Sequence, residues 1–229
     1  VEELYDTWTD KHEIKNIAED PQYADTLSRL REAHLNWVKR TRDTGLIAEP
    51  IILEREKTIG HRYGILRQSS DESFSSRLAD IAVQASEGPK ALPKLLNAMK
   101  DRDAAVRYWG AVGVGNIGKP AKSAAKQMRA ALKDESAVVR IAAARALCRL
   151  DMPKDALPVL ARELDRGEQW ERLHAAIVLD QIDEMARPVI SEMHAALEPR
   201  EKLYAKGKYT VRVINRALNQ LEGTDRKVN

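Results

Sequence analysis

The chain has 229 residues, 43% of them hydrophobic and 32% charged, with a formal net charge of +3. That composition excludes fibrous and disordered classes and supplies apolar material for one or two cores. No run of about 18 apolar residues spans a bilayer, the opening VEELYDTWTD lacks the basic and apolar regions of a secretory signal, and the single cysteine, Cys148, excludes an internal disulfide or a cysteine-based zinc cluster.

In chain order, Glu3-Leu4-Tyr5-Asp6 alternates like a short strand, and Thr7 to Lys11 is rich in turn formers. Asp20 and Pro21 then open a helix, Asp20 as its cap and Pro21 at the first helical position. The helix is predicted to run through Leu27, Leu30, Leu35 and Trp37 to Val38 and to stop near Thr44-Gly45. One strand and one helix cannot form a two-layer domain, so the strand is expected to pair with a sheet outside this sequence. Residues 49–72 read as a linker in which Gly60 and Gly64 bend a loop around His61-Arg62-Tyr63, and Ser73 to Ser86 reads as a capping helix at the start of the C-terminal region.

In that region four blocks align without gaps: Val106–Gly118, Val139–Asp151, Glu171–Asp183 and Val211–Gly223, with starts 33, 32 and 40 residues apart. Each comes after a shorter amphipathic segment, so the unit is a helical hairpin. Small pairs recur at one register, Gly110-Ala111, Ala143-Ala144 and Ala175-Ala176, where a missing side chain lets helices approach closely. Apolar pairs Val114/Ile117, Leu147/Leu150 and Leu179/Ile182 keep one helical face buried. In the fourth copy the insertion EPREKLYAKGKYT precedes the block, and Asn215-Arg216 replace the small pair, as suits an end unit facing water.

The succession of LKD, a turn, then VR followed by AA and AL resembles HEAT repeats of the short bacterial type over Ala91 to Gly223. The resemblance implies an α-solenoid whose hairpins are stable only when stacked. It also implies that the recurring Arg107, Arg140, Arg172 and Arg212 pair with carboxylates of the preceding turn or a neighbouring repeat, Asp101, Asp103, Asp134 and Asp165 lying upstream; an anion-binding stripe is the second reading. Positions that vary between copies, Tyr108, Trp109, Arg145, Arg149, Trp170 and His174, form the candidate recognition surface, since aromatic rings beside arginines suit sugar or peptide contacts. Trp109 and Trp170 read first as packing residues and second as platforms. The basic end, with Arg200, Lys202, Lys206, Lys208, Arg212, Arg216, Arg226 and Lys227, reads first as a solvated face and second as a surface for an anionic partner.

Other chemistry is discounted. His12, His34, His61, His174 and His194 have no paired metal-ligand spacing. Gly113, Gly115 and Gly118 spell G-x-G-x-x-G, but within and at the end of a repeat helix, where the dinucleotide fingerprint does not sit. Cys148 reads as a packing cysteine.

The opening resembles the C-terminal end of the sulfatase family through Glu3-Leu4-Tyr5-Asp6, Asp10, Glu13, Asn16-Ile17-Ala18, Asp20-Pro21 and Leu35-Asn36-Trp37, with Lys11 where the family has proline and Ile17 where it has leucine. The resemblance implies a parent enzyme that hydrolyses sulfate esters or N-sulfo groups of sulfated sugars with calcium and a formylglycine made in a Cys/Ser-x-Pro-x-Arg motif. No position here matches that motif, so no catalytic, cofactor-binding or metal-binding residue is carried over.

The combined reading is mainly α: a short α-solenoid of HEAT-like hairpins preceded by a remnant strand plus helix of a sulfatase C-terminal subdomain. Residues 1–48 form the remnant, 49–72 the linker and 73–229 the repeat domain. On this reading the chain is a non-catalytic C-terminal fragment of a bacterial sulfatase, periplasmic or extracellular, bracing the catalytic domain in cis and offering a surface to a protein or sulfated glycan. The alternative is a free-standing HEAT-like protein-interaction module. A DNA-binding HEAT-like protein ranks third, because a net charge of +3 supplies little phosphate neutralisation.

Overall fold

A computed structural model describes residues 2–228, among which there are twelve α-helices and no β-strand. The chain divides into two compact units, Val1–Asp43 and Thr44–Asn229.

The first unit carries one long helix, α1 (Ala24–Thr41), entered through a 3-10 turn at Pro21–Tyr23. The Asp20 carboxylate accepts a hydrogen bond from Gln22 N at 2.9 Å, so cap and proline act as the sequence predicts. Arg42 ends α1 in the left-handed region at φ 53°. The strand expected at Glu3–Asp6 does not form. Instead Leu4 N donates to Asn16 Oδ1 at 3.0 Å, Asn16 Nδ2 donates to Glu2 O at 3.0 Å, and Ile17 N donates to Leu4 O at 2.8 Å. A single asparagine amide thus satisfies backbone groups that a neighbouring strand would otherwise engage. Burial in this unit is thin: Ile17, Leu27 and Val38 are its buried apolar side chains, while Trp8 is 88% and Ile14 81% exposed.

The second unit opens with α2 (Glu49–Ile59), α3 (Gly64–Arg67) and α4 (Phe74–Gln84). Residues 49–72 are therefore not a plain linker. Pro50 occupies the first turn of α2 and Gly60 closes it at φ 89°, while Ile51, Ile52, Ile65 and Leu66 are buried in the same core as the repeats. Burial of four large aliphatic side chains outweighs the weak amphipathic pattern that makes this stretch look like a connection.

Four hairpins complete the unit: α5 (Leu92–Ala98) with α6 (Ala104–Ile117), α7 (Ala125–Ala131) with α8 (Ala137–Arg149), α9 (Pro153–Arg166) with α10 (Gln169–Gln181), and α11 (Ile190–Ala195) with α12 (Lys208–Glu222). The second helices pack side by side in the order α6, α8, α10, α12, each also resting on the first helix of its own hairpin. The small pairs lie at these contacts. Ala111, Ala143, Ala144, Ala175 and Ala176 are wholly buried, and a Cβ on Gly110 would stand 2.9 Å from Leu95 O. In the fourth hairpin Asn215 replaces the small residue, and its side chain donates to Arg226 O at 2.8 Å, closing the end of the stack with the C-terminal tail. Gly113 and Gly115 lie inside α6, where a Cβ would crowd Leu95 and Ala85 or Arg145 and Ala146, while Gly118 caps the helix at φ 68°, so close packing explains the first two and the left-handed backbone the third.

Candidate interaction face

Successive hairpins are tied by buried and half-buried arginines. Arg77 on α4 donates through Nε to Asp101 Oδ2 at 3.1 Å. Arg107 on α6 grips Asp134 with Nε and Nη2 at 2.8 and 2.9 Å and also reaches Glu135 at 3.0 Å. Arg140 on α8 grips Glu163 at 2.8 and 2.9 Å. In Arg107, Arg140 and Arg172 the remaining nitrogen, Nη1, bonds a carbonyl of the preceding turn, Asp101 O, Asp134 O and Asp165 O respectively, whereas the fourth repeat arginine, Arg212, is exposed and makes no such bond among the described residues. The ladder therefore takes backbone acceptors from its own hairpin and carboxylates from the next one. The carboxylates of Asp103 and Asp165 are not part of it; they pair with Arg55 and Arg200. A bidentate guanidinium holds both the spacing and the rotation of neighbouring hairpins.

A family model for HEAT repeats matches residues 92–180. No curated protein and no solved structure matches the chain. The match runs from α5 to α10, and α11 with α12 continues the same row of helices. These repeats are a helical scaffold of the kind that serves as an interaction module. None of the comparisons connects the chain to sulfatases.

Within this row, helical spacing places Tyr108, Val112 and Asn116 on one face of α6, Arg145 and Arg149 on α8, and Leu173, Ile177 and Gln181 on α10. Arg145 joins the three helices: its Nη1 donates to Asn116 Oδ1 and its Nε to Gln181 Oε1, both at 3.2 Å. Both partners are neutral amides. No carboxylate lies within ion-pair distance of Arg145 among the described residues, in contrast to Arg107 and Arg140. Burial and then the charge of exposed Arg149 hold the Arg145 guanidinium below its ordinary pKa. Burial pushes the Tyr108 phenol up and His174 down, so both favour their neutral forms. Val112 and Ile177 take the register position of Arg145 in the neighbouring blocks.

Of the six candidate recognition residues, Tyr108, Arg145 and Arg149 thus share this face, whereas His174 takes the register position of Trp109 in its block. The two tryptophans serve elsewhere. Trp109 stacks edge-on against Tyr108, ring centroids 5.7 Å apart, and its Nε1 donates to Leu46 O at 2.7 Å, pinning the segment that leads into α2. Trp170 lines a cavity of about 280 Å³ between α2 and the starts of α8 and α10, with Pro50, Leu53 and Val138. Asn116 and Gln181 escape sequence reasoning. Their signal is present all the same, because they share with Arg149 the eleventh position of their blocks, a column that is polar in three copies.

Among the described residues no group of three or more His, Cys, Asp or Glu is arranged to hold a metal ion, and no helix is long and apolar enough to cross a membrane. Cys148 is 1% exposed inside α8.

Proposed function

We propose that the HEAT repeats dock an acidic segment of a protein partner on the face formed by α6, α8 and α10. The observation that carries this reading is Arg145, a half-buried guanidinium held in place by Asn116 and Gln181 with its charge left uncompensated. A cation positioned by neutral amides keeps its affinity for a carboxylate, and the adjoining Val112 and Ile177 offer apolar contact around it. Binding of an Asp/Glu-rich peptide, measured at fixed ionic strength, should weaken strongly in Arg145→Gln/Arg149→Gln while circular dichroism stays unchanged. Equal binding by the double variant sinks the reading; preference for heparin or duplex DNA over the peptide would reassign the partner.

The first unit supports a second reading, that residues 1–43 complete the C-terminal subdomain of a sulfatase whose catalytic domain they brace. Its support is the resemblance from Glu3 to Trp37 together with exposed Trp8 and Ile14, large apolar side chains suited to a surface outside this chain. Periplasmic or extracellular location belongs to this reading. Sequencing the gene upstream of the Val1 codon tests it: a Cys/Ser-x-Pro-x-Arg motif within a long α/β pattern supports it, and an initiator methionine a few codons away removes it.

A further inference from the structure

The arginine ladder stops one step early. Arg172 on α10 is the third repeat arginine, 2% exposed, and its Nη1 donates to Asp165 O at 2.9 Å as its counterparts do to their own turns. The edge that grips a carboxylate in Arg107 and Arg140 grips none in Arg172: Nε is buried without a hydrogen-bond partner, and no ion pair forms among the described residues. The cause is visible in sequence. AALKDE at 130–135 supplies Asp134 and Glu135 to Arg107, whereas the aligned AALEPR at 195–200 places Pro199 and Arg200 in the fourth hairpin.

A cavity of about 600 Å³ borders Arg172 and is lined also by Arg166, Arg200, Lys202 and Leu203. Its two acids are already engaged, Asp165 with Arg200 at 2.9 Å and Glu201 with Lys206 at 3.2 Å. Arg166 and Lys202 make no ion pair among the described residues. Burial, followed by the charge of Arg200, lowers the Arg172 pKa, and the charge of Asp165 offsets them only in part.

We propose that this cavity binds a tetrahedral oxyanion of the sulfate or phosphate type, which takes the place of the missing carboxylate on the Nε edge of Arg172 and is held from the open side by Arg166 and Lys202. A buried guanidinium with a free donor edge is stabilised by an acceptor with two oxygens in its plane. A dianion suits the site better than a carboxylate, because three cations lining it are without a carboxylate partner. The site lies at the junction of the third and fourth hairpins and is independent of both readings above.

The test tracks the arginine side-chain Nε–Hε signals by NMR while sodium sulfate is added against a sodium chloride reference at equal ionic strength. The Arg172 signal should shift and saturate with sulfate alone, and Arg166→Ala/Lys202→Ala, which changes only exposed residues, should raise the sulfate Kd about tenfold. No shift, the same shift with chloride, or an unaltered Kd in the double variant overturns the proposal. Acetate binding as tightly as sulfate overturns the dianion assignment. Tighter binding of an O-sulfated monosaccharide than of inorganic sulfate would support the site with an ester as its source, and equal binding would support it with the free ion.

Discussion

Arg140 and Glu163 meet in a bidentate pair across the boundary between the second and third hairpins, with the Glu163 side chain 5% exposed. Burial pushes the Glu163 carboxyl up, but hydrogen bonds from Arg140 and Arg162 outweigh it and hold the carboxyl below its ordinary value of 4.5. A carboxyl with a depressed folded-state pKa contributes stability that is complete above its unfolded value and is lost as pH falls through the folded one. Arg140→Ala should therefore cost about 2–3 kcal/mol at neutral pH, toward the low end for a buried pair because Arg140 keeps some solvent. Urea midpoints collected on either side of pH 4.5 should show a shallower acid loss in Glu163→Gln than in the parent. Parallel curves would show that another group controls acid stability.

Gly110 faces a carbonyl, and Leu95 O cannot retreat as a side-chain end can. An alanine Cβ would stand 2.9 Å from it and 3.1 Å from Met99 Sδ. Alanine improves intrinsic helix propensity by about 1 kcal/mol, and overpacking against backbone costs about 1–3 kcal/mol. The second effect should win, so Gly110→Ala lowers the thermal midpoint. A raised midpoint would mean that α5 and α6 can separate without penalty.

The hairpins are legible in the sequence because their signal is repeated: a small pair, an arginine and an apolar pair recur in register, and Ala143, Ala144 and Leu147 are fully buried where that register places them. The ladder is legible as arginines paired with the preceding turn or a neighbouring repeat, but not which of the two supplies the carboxylate: Asp134 reaches Arg107 from the following hairpin while its own carbonyl receives Arg140. The α2 segment escapes notice because EPIILEREKTI has no clear apolar stripe, although Pro50 and Gly60 mark its ends. Glu3–Asp6 alternates like a strand, yet alternation says nothing about whether a ladder partner exists, and Asn16 fills that role. The face around Arg145 is half legible, because variation between copies points to Arg145 but not to the amides that hold it.

Trp109 secures the start of the second unit through its hydrogen bond to Leu46 O. Trp109→Phe keeps most of the ring packing and removes the donor, leaving a carbonyl without its partner at a cost of about 1–2 kcal/mol. Amide exchange should accelerate at Ile51 and Ile52, whose N–H groups bond Ala48 O at the start of α2, more than at Arg140 in α8. Uniform acceleration along the chain would indicate global destabilisation and no local anchoring.

Cys148 sits in the middle of the row, 1% exposed, and burial pushes its thiol up to about 12. The thiolate is the reactive form, so both access and ionisation are suppressed in the folded protein. A disulfide reagent at mildly alkaline pH should leave native protein unmodified and label it fully in urea. Because α8 is packed against α6, α7, α9 and α10, opening it requires loss of the surrounding stack. The labelling rate in native buffer should then track the unfolding equilibrium across the Arg140→Ala and Gly110→Ala variants, rising as each loses stability. Rapid labelling of the parent, or rates indifferent to those substitutions, would show that α8 opens locally and that the HEAT row is less cooperative than its continuous core implies.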